Sequence, residues 1–206
     1  DEAIAEFKRS AGLIPRPYIG PLTLKALGVA PHRINELPAP WMNNMSRYIG
    51  LHEAKNYKKL YQWLRSDGQT LGDPRKFPWC GDAVHTAMSL SQPDEPFPGK
   101  VGRNPYLARN WLDFGEKTDI AYYGAVCVFW RGKRNGISGH VGFVAGIDTT
   151  RNRILVRGGN QSNRVSDAWL SGDRLLGFRL AVTYEGPWEK ALDLDSKKAL
   201  VSVNEH

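Results

Sequence analysis

Two kinds of pattern divide this chain of 206 residues, and their order limits the folds available to it. Before residue 121, apolar residues recur at helical spacing, whereas five short β-rich segments separated by turn residues follow. The connections between those segments are of hairpin length, which argues against an alternating βαβ fold. Helices followed by a run of strands predict an α+β protein with an antiparallel sheet.

The same patterns place the individual elements. Helices are predicted over residues 2–11, 23–27, 41–50, 57–65, 80–88 and 105–115, and strands over residues 125–130, 140–147, 153–157, 164–169 and 175–180. Residues 29–40 contain three prolines and are typical of a linker. Residues 181–206 are expected to form a charged, partly helical tail.

The charge of the chain restricts its partners. Twenty-eight Lys and Arg residues against 21 Asp and Glu residues give a net charge of +7. This favours an anionic partner, such as nucleic acid, a membrane surface or the bacterial cell wall, although solubility explains it equally well. The chain contains no apolar stretch long enough to span a membrane. It starts without a signal-peptide pattern and without Met, so we expect a fragment or a processed form.

Cys80 is the first residue that could carry chemistry. Pro78 and Asp82 are helix-start signals on either side of it. A thiol in the first helical turn faces the positive end of the helix dipole, which predicts a lowered pKa. The neighbouring backbone N–H groups could also hold an oxyanion. Core packing is the stronger reading of Cys80 taken alone, because it also begins the apolar stripe of this helix.

His140 and Asn160 shift the interpretation of Cys80 from core packing toward catalysis. His140 opens a predicted strand among small residues, where an imidazole can act as a base. Asn160 follows the next predicted strand, and a turn near residues 148–152 can bring the two side by side. An Asn amide oxygen could then accept a hydrogen bond from one ring nitrogen and leave the other free to deprotonate a thiol. Cys127 is predicted to point into the core.

Four sequence blocks resemble papain-like bacterial cell-wall hydrolases of the NlpC and CHAP type, over about residues 41–180. The blocks are Pro78-Trp79-Cys80-Gly81, Gly139-His140-Val141-Gly142-Phe143, Gly158-Gly159-Asn160-Gln161-Ser162 and Arg174-Leu175-Leu176-Gly177-Phe178-Arg179. The resemblance implies a helix packed on an antiparallel sheet, with Cys80 as the nucleophile, His140 as the base and Asn160 as the orienting residue. It further implies substrate-binding roles for Glu53, Trp79, Asp82 and Gln161, and neither a metal nor a cofactor.

The N-terminus resembles the second half of a small helical peptidoglycan-binding module. The stretches that carry this likeness lie in residues 7–13 and 19–28. The first half of such a module is missing, so a docking arm for the catalytic domain is an equal alternative for residues 1–28. Residues 1–40 or the tail could instead contact other phage or particle proteins.

The resemblances imply a peptidoglycan hydrolase that cleaves an amide bond, as an endopeptidase or an N-acetylmuramoyl-L-alanine amidase. We expect it to act in the periplasm or cell wall, delivered by a phage particle, released through a holin or secreted. The five histidines lack the ligand spacing of a zinc amidase. The alternatives are a wall-binding relative without catalysis and a basic nucleic-acid-binding protein. No nucleic-acid-binding module is recognisable in the sequence, so nucleic acid is not an expected partner.

Overall fold

The computed structural model describes residues 2–29, 38–97, 104–197, 199 and 201–202. The α-helices in these ranges are α1 (Glu2–Ser10), α2 (Pro21–Ala26), α3 (Pro40–Ser46), α4 (Tyr57–Leu64) and α5 (Cys80–Ser91). The strands are β1 (Glu116–Thr118), β2 (Val126–Trp130), β3 (Gly139–Asp148), β4 (Arg153–Gln161), β5 (Arg164–Ser171) and β6 (Leu175–Leu180). Within these ranges, every helix is too short or too polar to cross a membrane. Most of the predicted linker, residues 30–37, lies outside the described residues.

The six strands form one sheet in the order β1-β6-β2-β3-β4-β5, and each neighbouring pair is antiparallel. This confirms the predicted α+β class and the antiparallel sheet. The edge strand β1 was not predicted, because three residues are too few to show an alternating pattern. Strand β4 continues four residues beyond its predicted end at Arg157.

Each face of the sheet packs against its own hydrophobic core. Along β2, Val126 and Val128 belong to one core, whereas Cys127 and Phe129 belong to the other. Side chains alternate in this way along any strand. Helix α5 packs on the first face against β3 and β4, so the sheet fixes the position of the helix that begins at Cys80.

Helix α5 is buried on nearly every side. The predicted apolar stripe from Cys80 to Met88 lies in the core, but the polar residues between its members are buried as well. Helix α4 and the loop that follows it supply their hydrogen-bond partners. His85 Nδ1 lies 2.7 Å from Asp67 Oδ2, and the Thr86 hydroxyl donates to a backbone carbonyl of α4. The sequence pattern does not predict that the polar residues of α5 are buried as well.

Two predicted helices are wrong in the described part of the chain. The helix expected over residues 105–115 is a short 3-10 helix, Ala108–Asp113. The Asn104 side chain accepts a hydrogen bond from the Tyr106 N–H, which holds the preceding residues in a turn. Residues 181–197 contain no helix and run extended instead.

The later part of that C-terminal segment packs on the face of the sheet opposite α5. The Ala191 N–H donates to the Ala121 carbonyl at 2.8 Å, and the Leu194 N–H donates to the Ile147 carbonyl at 2.7 Å. Ala191 belongs to the second core and Trp188 packs against both cores, whereas Ala181 and Tyr184 belong to the first core. The extended conformation depends on partners far away in sequence, which local charge and helix propensity do not register.

Residues 2–29 pack against the loop that follows α5. Lys8 Nζ lies 2.8 Å from Asp94 Oδ1, and both side chains are buried. The Asp94 carboxylate also accepts two hydrogen bonds from α2. Arg16 stacks over the Phe97 ring, 4.4 Å from its centre. These buried contacts favour the docking-arm interpretation of the N-terminal segment.

Candidate active site

Cys80 opens α5 and is 5% exposed. Burial raises the pKa of its thiol, although the backbone N–H groups of Val141 and Gly81 and the positive charge of Arg131 favour the thiolate. The lowered pKa that the helix terminus predicts is therefore wrong, because the loss of solvation outweighs these groups. The thiol is protonated at neutral pH and needs a base before it can react.

His140 is the second residue of β3 and is fully buried. The backbone N–H of the next residue, Val141, acts on the Cys80 sulfur, so the start of α5 lies against the start of β3. The fold thus brings together two candidates that are far apart in sequence. His140 Nε2 lies 3.3 Å from Gln161 Oε1.

The side chain of Gln161 is held in one orientation. Its Nε2 donates to the Ser166 carbonyl at 2.6 Å and to the Val156 carbonyl at 3.2 Å. The Gln161 amide oxygen must therefore face His140 and accept from the ring N–H at Nε2. In the neutral ring the basic lone pair is then on Nδ1, which is the arrangement that a general base requires.

Asn160, expected to orient His140, directly precedes Gln161, whose side chain contacts the ring at Nε2. The β3–β4 register pairs Phe143 with Arg157, and its continuation sets Asn160 opposite His140, as counting along the strands predicts. However, the β4–β5 register shifts here, and Asn160 has a left-handed backbone with φ of 58°. The structure gives Gln161 the contact with Nε2, and Asn160 lines the groove described next.

An open groove of about 710 Å³ is lined by sequence neighbours of these residues, whereas Cys80, His140 and Gln161 are not among its described lining. Its walls include Pro78, Ser138 and Asn160, each within two residues of a candidate catalytic residue. The charged residues among its described lining are Glu53, Arg75, Lys76, Arg131 and Arg174. The excess of basic side chains favours an anionic ligand. Sequence reasoning missed Arg131 as a groove residue, since it follows β2 without a motif of its own, and it gave no role to Arg174, although that residue opens one of the four sequence blocks.

Glu53 and Trp79 lie together at one wall of the groove. Trp79 Nε1 donates to Glu53 Oε2 at 2.9 Å, and Glu53 lines the groove while Trp79 is 1% exposed behind it. Gly159 allows β4 to approach this wall, because a Cβ there would lie 2.6 Å from the Trp79 ring and 2.5 Å from Ala83. Trp79 therefore supports the wall, whereas Glu53 faces the groove.

Asp82 is fully buried and is not among the residues that line the groove. Its Oδ2 accepts from the Thr70 hydroxyl at 3.0 Å and from the Leu71 N–H at 3.1 Å. Its Oδ1 is buried with no hydrogen-bond partner among the described residues. Burial raises the pKa of this carboxyl to about 7. The placements of Asp82 and Gln161 favour structural and orienting roles over the substrate binding that the resemblance implies.

Cys127 points into the core, as predicted, and that core lies on the far side of the sheet from Cys80. Its Sγ lies 3.4 Å from the Gly142 carbonyl oxygen, and burial raises the pKa of the thiol. Both cysteines are free. Among the described residues, no three His, Cys, Asp or Glu side chains are grouped as metal ligands would be.

Comparisons with models of known protein families, with curated proteins and with solved structures found no match to this chain.

Proposed function

We propose that the protein is a cysteine-dependent hydrolase that cleaves an amide bond in bacterial peptidoglycan, built on a papain-like fold of the NlpC/CHAP type. The observation that carries the proposal is the hydrogen bond between His140 Nε2 and Gln161 Oε1, beside a helix that begins with a buried thiol. The sequence blocks around Cys80 and His140 supply the substrate class. The cell wall is then the site of action.

The chemistry begins with proton transfer from the Cys80 thiol. Because burial keeps that thiol protonated at neutral pH, His140 removes the proton as Sγ attacks the amide carbonyl carbon. The imidazolium that forms is stabilised by the Gln161 amide oxygen. His140 then donates the proton to the amide nitrogen, the C–N bond breaks, and an amine leaves.

The acyl group remains on Sγ as a thioester, which water resolves. His140 accepts a proton from that water as the new C–O bond forms, the C–S bond breaks, and His140 returns the proton to Sγ to restore the thiol. During both steps negative charge develops on the carbonyl oxygen. The backbone N–H groups around Cys80, Gly81 and Val141 already favour negative charge at this point, so they are the donors placed to stabilise it.

The test compares Cys80→Ala with Cys127→Ala, its matched control on the opposite face of the sheet. We expect Cys80→Ala to abolish the clearing of purified sacculi while the circular dichroism spectrum is retained. Cys127→Ala should keep most of the activity. Mass spectrometry of the released fragments then distinguishes a sugar–peptide amidase from an endopeptidase. Activity retained in a folded Cys80→Ala protein would overturn the mechanism.

A further inference from the structure

We propose that the loop between β2 and β3 is a docking surface for a lipid bilayer that contains anionic lipids. The loop spans residues 131–138, and its sequence holds three basic residues and no acidic one. It also carries Ile137, which is 80% exposed and is the most exposed large apolar side chain in the described ranges. Apolar area and cations together are what bind a peripheral protein to an anionic bilayer.

Two of the three cations extend from the loop toward solvent. Lys133 and Arg134 are exposed, and neither side chain has a hydrogen bond, an ion pair or a ring contact within the described part of the chain. They occupy the first two positions of a turn, which the Gly136 N–H closes by donating to the Lys133 carbonyl at 3.0 Å. Ile137 follows this turn directly. The two cations and the apolar side chain therefore share one tip of the loop.

The backbone of the loop is held in place by Arg109, a residue of the 3-10 helix. Its guanidinium donates to three loop carbonyls, those of Ser138 at 2.8 Å, Arg134 at 2.8 Å and Lys133 at 3.0 Å. Gly139 allows this close approach, because a Cβ there would lie 3.1 Å from the Arg109 side chain. Three fixed carbonyls leave the loop little freedom, so binding through its tip costs little conformational entropy.

A bilayer matches both the charge and the apolar side chain of this tip, whereas a soluble polyanion matches only the charge. Anionic headgroups attract Lys133 and Arg134, and the apolar layer directly beneath them accepts Ile137. A nucleic acid or a wall polymer would pair with the cations but would leave Ile137 in water. The net charge of +7 acts in the same direction, because it draws the whole chain toward an anionic surface.

The position of the loop connects this contact with the groove. Gly132 and Ser138 lie on either side of the tip, and both line the groove. A tip that is docked on a bilayer therefore holds the groove a few residues away from the lipid surface. With the proposed function, this places hydrolysis in the wall material next to a membrane. The docking itself does not depend on that function.

Vesicle co-sedimentation of the whole chain tests the proposal. The probes are vesicles of phosphatidylcholine alone and vesicles of phosphatidylcholine and phosphatidylglycerol in equal parts. We expect the partition coefficient to be about tenfold higher on the anionic vesicles and to fall as salt is added. Ile137→Ser should lower partitioning onto the anionic vesicles about tenfold. Lys133→Gln and Arg134→Gln should each lower it about fivefold.

Two matched control variants change side chains elsewhere on the surface. Leu192→Ser removes an apolar side chain that is 71% exposed, and Lys25→Gln removes one exposed cation of α2. Both should partition onto the anionic vesicles as the wild type does. Cys80→Ala should do so as well, which separates docking from hydrolysis.

Equal partitioning of the wild type onto neutral and anionic vesicles would overturn the proposal. An Ile137→Ser variant that partitions like the wild type would overturn it too, because the apolar side chain would then have no part in binding. If Lys133→Gln and Arg134→Gln weaken binding to a short DNA duplex while no vesicle is bound, the loop is a nucleic-acid site instead. None of these results changes the sacculus assay, which tests the hydrolase by itself.

Discussion

The buried carboxyl of Asp82 makes the stability of this protein depend on pH in an unusual direction. Its pKa is raised from the usual 3.8 to about 7, chiefly by burial. Between these two values the folded protein keeps the proton and the unfolded chain loses it. The contribution of Asp82 to the free energy of unfolding therefore falls as the pH rises through this window, and it levels off above about pH 7.

The size of the effect follows from the two pKa values. Their difference corresponds to about 4 kcal/mol once both states are ionised. Asp82→Asn removes the ionisation and keeps an oxygen to accept from Thr70 and Leu71. We expect the variant to be more stable than the wild type by less than ~1 kcal/mol at pH 4 and by up to ~4 kcal/mol at pH 8.

Urea denaturation of both proteins at several pH values between 4 and 8.5 measures this difference. Asp119→Asn is the control, because it changes the net charge equally at a side chain that is 91% exposed. It should leave stability within about 0.5 kcal/mol of the wild type. An Asp82→Asn curve that runs parallel to the wild-type curve across this range would refute the argument from burial.

Three further predictions concern the site and its supports. Gln161→Ala should lower kcat about tenfold to a thousandfold, because His140 loses the acceptor that fixes its tautomer, and Gln161→Glu should retain more activity. Asn160→Ala should lower kcat less than Gln161→Ala does. Equal losses of kcat for the two variants in sacculus assays would contradict the assignment of Gln161 as the orienting residue. Gly159→Ala should cost about 1–3 kcal/mol in urea denaturation, because its Cβ would overlap Trp79 and Ala83. Asp94→Ala should lower the free energy of unfolding by about 3–5 kcal/mol, since it leaves Lys8 buried without its counter-ion. Unchanged urea midpoints of Gly159→Ala and Asp94→Ala would refute the packing argument for each residue.

Local periodicity was enough to predict much of the architecture. Short β-rich segments bounded by turn residues located five of the six strands described, and the apolar stripe that begins at Cys80 located α5. Each of these signals arises within about ten residues of chain, because helix and strand periods are local properties. The candidates Cys80 and His140 could be named for the same reason: each has a recognisable place at the start of its element.

What only the tertiary structure decided depends on residues that are distant in sequence. Counting along β3 and β4 points to Asn160 as the partner of His140, and the structure adds a contact from Gln161, where the pairing with β5 shifts. The helix dipole predicts a lowered pKa for Cys80, whereas burial by the packed sheet raises it. Three features arise only when separate elements pack together: the shifted strand register, the loss of solvation at Cys80, and the groove in which arginines from different loops meet. No local sequence pattern encodes that packing.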